Sequence, residues 1–446
     1  MKNSANLNEA NFYNFCEKIF SLLNEDENLS VFLEGETTNF CRLNNSRIRQ
    51  VGDIEQFETT LTYTSAKKKM VVKSSYQNNL SADLSSFEKT LASLRKEITG
   101  MDEDPYFVAI KNNGTSSLEL GEEINTDEIL PKVLDPIQNI DLAGIWASGL
   151  VYRATANTMG ERNWFKSASF YLDYSLYTKA QKAVKGLYAG SKFDSDEYLS
   201  KIEKAREELA IMELAPRKIE KGSYRTYLAP AAVAEIVSTL NWGALSYKSY
   251  KMGQNALKDL KDEKKSFSAK FNLKENFEIG LSAPFNSLGE VAPKSLNIIE
   301  AGKLENFLVS SRSAVEFELD SNGADSDESG RSLDLGAGSL EESEILDKIG
   351  TGLYINNLHY LNWSDMQNAR ITGMTRFACF WVENGKIVSP IEDLRFDDTL
   401  YNIFGKNLID LTCERSVGPN LGSYENRNLG GERVPGVLLE NFTFTL

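Results

Sequence analysis

The sequence predicts an α+β protein in two parts: an N-terminal α/β domain over residues 1–220 and a β-rich C-terminal domain over 221–446. Three observations predict it. Twice in the first half, a group of β-patterned segments (30–76, then 143–178) gives way to helical apolar spacing. From Gly222 the pattern turns to strands and turns, interrupted by one apolar helix. Residues 350–390 then read as strand, polar loop, long strand, tight turn and return strand. A chain of 446 residues also exceeds what one hydrophobic core usually serves, so two or three domains are expected.

Residues 8–23 carry Phe12, Phe15, Ile19 and Leu22 at three- and four-residue spacing, the mark of an amphipathic helix. Across 30–76 the period becomes two, and FETTLTYT alternates as a half-buried antiparallel strand does. Phe87, Leu91, Leu94 and Ile98 restore helical spacing over 83–98, with Asp83 as the expected N-cap. A polar connection, punctuated by Pro105, Pro131 and Pro136, spans 100–141. The second β group comprises GIWASGLVYRATAN, ERNWFKSASF and YLDYSLYT. A helix over 197–212 follows, with Leu199, Ile202, Leu209 and Met212 on one side. Asp194 or Ser195 caps it and Pro216 ends it.

In the second half, GSYRTYL reads as a strand and Pro230 introduces an apolar helix over 231–247, which SYKSYKMGQNALKDL continues. Residues 298–304 form a hairpin candidate. The acidic, Gly/Ser-rich segment 320–344 reads as a loop, partly mobile. LHYLNWSDMQNAR reads as a loop, TRFACFWV as a strand, and Asn384-Gly385 as the turn into IVSPIEDL. DDTLYNIFGKNL reads as a helix and GVLLENFTFTL as a closing strand.

Composition excludes several function classes. A hydrophobic content of 41% with 25% charged residues is that of a soluble globular protein. No apolar run is long enough to span a membrane, and MKNSANLNEANF lacks a signal-peptide core, so a cytoplasmic location is expected. The formal net charge of −15 argues against a nucleic-acid surface, which needs clustered Lys and Arg. Cys16, Cys41, Cys379 and Cys413 are widely spaced, so neither a disulfide framework nor a zinc ribbon is suggested. No P-loop, G-x-G-x-x-G or G-x-S-x-G motif occurs. The acid pairs Glu392-Asp393 and Asp397-Asp398 read as solvated turn residues.

Gly352-Leu353-Tyr354-Ile355, the run Gly373 to Arg376, Phe380-Trp381-Val382-Glu383-Asn384-Gly385-Lys386-Ile387, Pro390 and residues 402–407 together resemble the C-terminal region of the TldD/PmbA family. These are the modulators of DNA gyrase, or peptide-maturation metalloproteases. In the TldD branch, the resemblance places an H-E-x-x-x-H zinc motif on the helix at 231–247. Here that helix holds Glu235 and no histidine, and the chain's one histidine is His359. Two imidazoles and a glutamate on one helix would bind zinc and supply a general base. Cys413 lies near a third-ligand position but has no partner ligands in the pattern.

The resemblance therefore implies a PmbA/TldE-like branch without a catalytic residue or metal ligand of its own. Zinc is expected only in a TldD-type partner, with the two chains forming a heterodimeric peptidase on unfolded or leader peptides. A homodimeric peptide-binding scaffold is the alternative, and a peptidase of non-zinc mechanism a third. Strand edges can hold an extended peptide by main-chain hydrogen bonds. The expected edge is Ile371, Gly373, Met374, Arg376 and Phe377, where Gly373 admits a close backbone; an ordinary core strand is the other reading of the same residues.

Overall fold

The structure, a computed structural model, describes residues 7–445. The reading of the N-terminus as free of a signal core rests partly on residues 1–6, outside the described residues. The fold is α+β, with two sheets.

The first sheet contains β1 (Glu27–Asn44), β2 (Arg47–Ser65), β3 (Lys68–Ser75), β4 (Thr115–Leu120), β5 (Asp141–Asn157), β6 (Arg162–Tyr177) and β7 (Ala183–Gly190). Their order is β3-β2-β1-β5-β6-β4, with β7 also on β6. The two β groups are thus one sheet, joined where β1 runs antiparallel to β5 from Ser30↔Asn157 to Leu43↔Gly144. Four helices, α1 (Glu9–Phe20), α2 (Leu80–Glu97), α3 (Thr126–Leu134) and α4 (Ser195–Met212), pack on one face of it. Phe12, Phe15 and Ile19 of α1, with Phe87, Leu91 and Leu94 of α2, cover Leu33, Leu150, Tyr152 and Trp164. Tyr198 and Ile202 of α4 cover Trp146, Phe170, Leu172 and Tyr174. Each fully buried side chain of this size contributes about 1.5–3 kcal/mol, which holds the helices to that face and leaves the other to the second domain.

The second sheet contains β8 (Gly222–Leu228), β9 (Leu273–Asn276), β10 (Ser295–Glu300), β11 (Lys303–Leu304), β12 (Ser332–Leu335), β13 (Gly352–Asp365), β14 (Arg370–Glu383), β15 (Lys386–Pro390), β16 (Arg395–Thr399), β17 (Leu408–Pro419) and β18 (Gly431–Phe444). Strands β8, β13, β14, β16 and β18 pair in a ring, because β18 returns to β8. Ile371, Phe396, Phe442 and Phe444 belong to its buried core. The helix α5 (Pro230–Thr239) packs on it through Ala232, Val233, Ile236 and Val237. Asn384 and Gly385, at φ 52 and 73, make the turn into β15, the primed geometry an Asn-Gly hairpin needs.

Several local expectations are corrected. Asn79 caps α2, its side chain accepting from the Ala82 N–H. Asp83 lies one turn inside, where its carboxylate accepts from the Gln77 and Asn79 N–H groups at 2.8 Å each. β6 is one strand where two were expected, and the connection 100–141 contains β4 and α3. The apolar helix stops at Thr239, and a separate helix covers Tyr247–Lys251; Gly243, at φ 91, sits in the turn between them. β13 runs through the supposed loop to Asp365. Only a single wide turn forms at Asn402–Lys406.

The acidic segment 320–344 is built into the fold. The Glu328 carboxylate accepts from Ser246 Oγ at 2.7 Å and from the Lys248 and Ser310 N–H groups at 2.9 Å. Asp334, on β12, receives Arg415 at 2.6 Å and Arg433 at 2.7 Å. Partners distant in sequence satisfy these acids, and apart from β12 and a turn at Glu342–Glu344 the segment is loop, as expected. Asp398 is also buried rather than solvated. No helix among the described residues is long and apolar enough to cross a membrane.

Candidate functional site

The face of the first sheet opposite the helices carries the odd-numbered residues of β5 and β6 and the even-numbered residues of β1, as their register requires. At one end the second domain seals it. Glu161 is fully buried there, accepting from the Asn113 N–H at 3.1 Å and from Thr155 Oγ1 at 3.3 Å. Asn163 Nδ2 donates to the Gly289 carbonyl at 3.0 Å, and Phe165 packs on Ala283 and Phe285. Burial pushes the Glu161 carboxyl up to about 7. Further along, the connection between β17 and β18 straps across the face. Its Arg427 donates from Nη2 to Ser169 Oγ at 2.7 Å, and its backbone N–H donates to Glu36 at 3.2 Å.

At the other end the face is open. A cavity of about 890 Å³ lies there, lined by side chains that include Arg42, Arg49, Ile145, Asp173 and Lys185. Lys185 pairs with Asp173 at 2.7 Å.

Lys185 also reaches across to the second domain. It offsets the rise in the Glu235 carboxyl on α5 that burial causes. Glu235 is exposed to solvent yet crowded by protein, which places it on the wall of a recess. Beside it, burial and then the Glu235 charge push Glu432 of β18 up to about 8, so Glu432 holds its proton at neutral pH and can donate a hydrogen bond. Burial, Arg376 and Lys185 hold the His359 imidazole below its usual range. A charged group of Lys185, Glu235, His359, Arg376 and Glu432, whose members act on one another's charge, thus gathers where β7 meets β14 and β17. Its cations can hold carboxylates, and its neutral Glu432 can meet a carbonyl.

The strand expected as a free edge is not one. Ile371 pairs with Trp363 of β13 and with Asp398 of β16; Gly373 and Met374 face Phe396 and Arg395 of β16. With both sides of Ile371–Met374 occupied, a peptide cannot add there by main-chain hydrogen bonds. Gly373 instead makes room for a ring: a Cβ would fall 2.7 Å from Phe396. Ile371 is buried, whereas Met374 is exposed. Arg376 lies over the Phe377 ring at 5.3 Å, and Phe377 takes φ 63 where the β13–β14 register slips. Of the five predicted residues, Arg376 is the one that acts electrostatically on this group, through His359.

Sequence reasoning missed Arg42, Arg49 and Lys185. The signal for Arg42 and Arg49 was the run CRLNNSRIRQ, a strand pair and turn whose arginines have no acid among them. Among the described residues, no group of three or more His, Cys, Asp and Glu side chains is placed to hold a metal. Cys413 is half-buried on β17, and His359 sits on β13.

Residues 221–446 match the family model described as the PmbA/TldA metallopeptidase C-terminal domain. No curated protein matches the chain. Several solved structures share the fold, three of them as follows. One is a Thermotoga maritima protein designated a modulator of DNA gyrase, 16% identical over 97% of this chain and 100% of that one, with a TM-score of 0.74. TldE from Thermococcus kodakarensis is 14% identical over 98% and 99% of the two chains, with a TM-score of 0.75. A Bacteroides thetaiotaomicron protein, also designated a modulator of DNA gyrase, is 13% identical over 97% and 98%, with a TM-score of 0.76. With its family model spanning half the sequence and this fold throughout, the chain belongs to the TldD/PmbA family.

Proposed function

We propose that this chain is the non-catalytic, PmbA/TldE-like subunit of a cytoplasmic zinc peptidase. It shapes the cleft along which unfolded or leader peptides reach a TldD-type partner, and the zinc belongs to that partner. One observation carries the reading: α5, where the TldD branch has its zinc-binding helix, presents Glu235 and no imidazole. A catalytic zinc takes three protein ligands, commonly with two or three histidines, and one carboxylate cannot replace them. Lys185 and Arg376 near α5 are consistent with a binding role, since such cations can hold the carboxylates of a peptide.

The test is co-expression of this chain with a tagged TldD-type chain from the same organism, followed by cleavage assays on unfolded casein. Co-purification, with cleavage by the complex and none by this chain, is the expected result. A stable homodimer that ignores the TldD-type chain would favour the scaffold alternative and overturn the proposal.

A further inference from the structure

We infer that the open end of the first sheet is a binding site for acidic peptide segments, with Arg42 and Arg49 as the carboxylate-holding residues. The inference deepens the proposed function by naming a substrate class, and it rests on that reading for what happens to the peptide afterwards. Binding itself requires only this chain.

The site is built by the register of the sheet. Arg42 lies opposite Ile145 on β5, and Ile145 opposite Asp173 on β6. Lys185 stands opposite Ser175, which in turn faces Ala143. The floor of the cavity is therefore Ala143 and Ile145, with cations rising on both sides. On the β1–β2 side the pairing slips: Arg42 faces Gln50 and Leu43 faces Ile48, leaving Arg49 as the extra residue. Such a bulge re-aims a side chain, and here Arg49 joins Arg42 in lining the cavity.

What sets these arginines apart is their place at the cavity rim, where neither has a carboxylate partner. The Arg42 and Arg49 side chains are exposed and make no ion pair or hydrogen bond with the described residues. Lys185 is already paired to Asp173. In a chain of net charge −15, two arginines left without a carboxylate at the rim of an 890 Å³ cavity offer unused N–H donors to one. Cavities of several hundred Å³ with a few convergent polar groups are the usual form of a binding site. Guanidinium forks match carboxylates bidentately.

A peptide fits this chemistry better than a nucleic acid. The exposed Ile145 on the floor offers apolar contact to aliphatic side chains. The overall charge of −15 would repel a continuous phosphate backbone, which needs clustered cations along its length.

The test is fluorescence anisotropy of the purified full chain with a labelled twelve-residue peptide of mixed Asp, Glu and aliphatic residues. An isosteric Asn/Gln peptide and a labelled single-stranded oligonucleotide run in parallel. The doubly substituted Arg42→Gln/Arg49→Gln chain is compared with Lys67→Gln/Lys69→Gln, a control with the same loss of charge elsewhere on the surface. The expected result is that the acidic peptide binds about tenfold more tightly than the Asn/Gln peptide or the oligonucleotide, and that only the arginine substitutions remove this preference. Equal binding of the neutral peptide, preferred binding of the oligonucleotide, or an equal loss in both substituted chains would overturn the inference. Thermal melts of both variants establish that they are folded. Because no TldD-type chain is present, failure here leaves the subunit reading to its own co-purification test.

Discussion

The two ends of the free face of the first sheet make opposite use of polar residues. At the sealed end, Glu161, Asn163 and Arg427 are buried, and the hydrogen bonds of Asn163 and Arg427 run between the domains. At the open end, Arg42 and Arg49 stand in solvent beside the cavity. A buried polar group that loses its partner costs about 1–3 kcal/mol, so the sealed end is committed to holding the domains together. Exposed cations carry no such penalty and can wait for a ligand. The same sheet thus divides into a structural half and a half available for binding.

This contrast predicts a descending series of effects. Gly289→Ala strikes the sealed end hardest. Its φ is 80, and a Cβ would fall 1.4 Å from Glu161 Oε1, a carboxylate fixed by burial. Denaturant unfolding should register a loss of about 3 kcal/mol; a loss within experimental error would mean that the domains are not locked there.

Arg427→Ala comes next. It removes the bond to Ser169 and the guanidinium set over Tyr171 at 5.7 Å. The expected cost is about 2 kcal/mol, with faster proteolysis in the 420–430 strap. Unchanged cleavage there would argue that the strap is not anchored through this residue.

Glu432→Gln has an effect that depends on pH. The folded carboxyl titrates at about 8, above its unfolded value near 4.3. Its neutral form is therefore the one the fold accommodates. The associated stability is complete below pH ~4 and is lost as pH rises toward 8 and beyond. The glutamine variant should match the parent at pH 5 and exceed it at pH 9 by about 1–2 kcal/mol, since the partial exposure of Glu432 screens the full shift. Melts at the two pH values check this, and an advantage of equal size at both would remove the titration from the explanation.

Arg42→Gln and Arg49→Gln should do least to stability, within about 0.5 kcal/mol, because neither side chain has a partner to lose. A large destabilisation would place these arginines with the structural half.

The sequence revealed local order well where one signal dominated. Asn384-Gly385 marked its hairpin because few residue pairs tolerate two positive φ values. Phe87, Leu91 and Leu94 marked α2 because their spacing has a single helical reading. Elsewhere the deciding contacts were remote. Nothing near Glu328 announces Ser246 and Ser310, and nothing near Gly373 announces the Phe396 ring. The strand at Ile371 was expected at an edge; the ring closure of β8, β13, β14, β16 and β18, invisible in any single segment, gives it neighbours on both sides. Of the candidate site, the helix with Glu235 was legible through the family resemblance and Arg376 was named. The cavity was not, because it depends on a one-residue bulge and on which strands lie side by side.

The most direct measurement is zinc content and casein cleavage, determined for the purified chain alone and for its complex with a TldD-type chain. The account predicts trace zinc and no cleavage for the chain alone, with about one zinc per heterodimer and cleavage in the complex, as a catalytic site in the partner requires. Stoichiometric zinc together with cleavage by the isolated chain would contradict it.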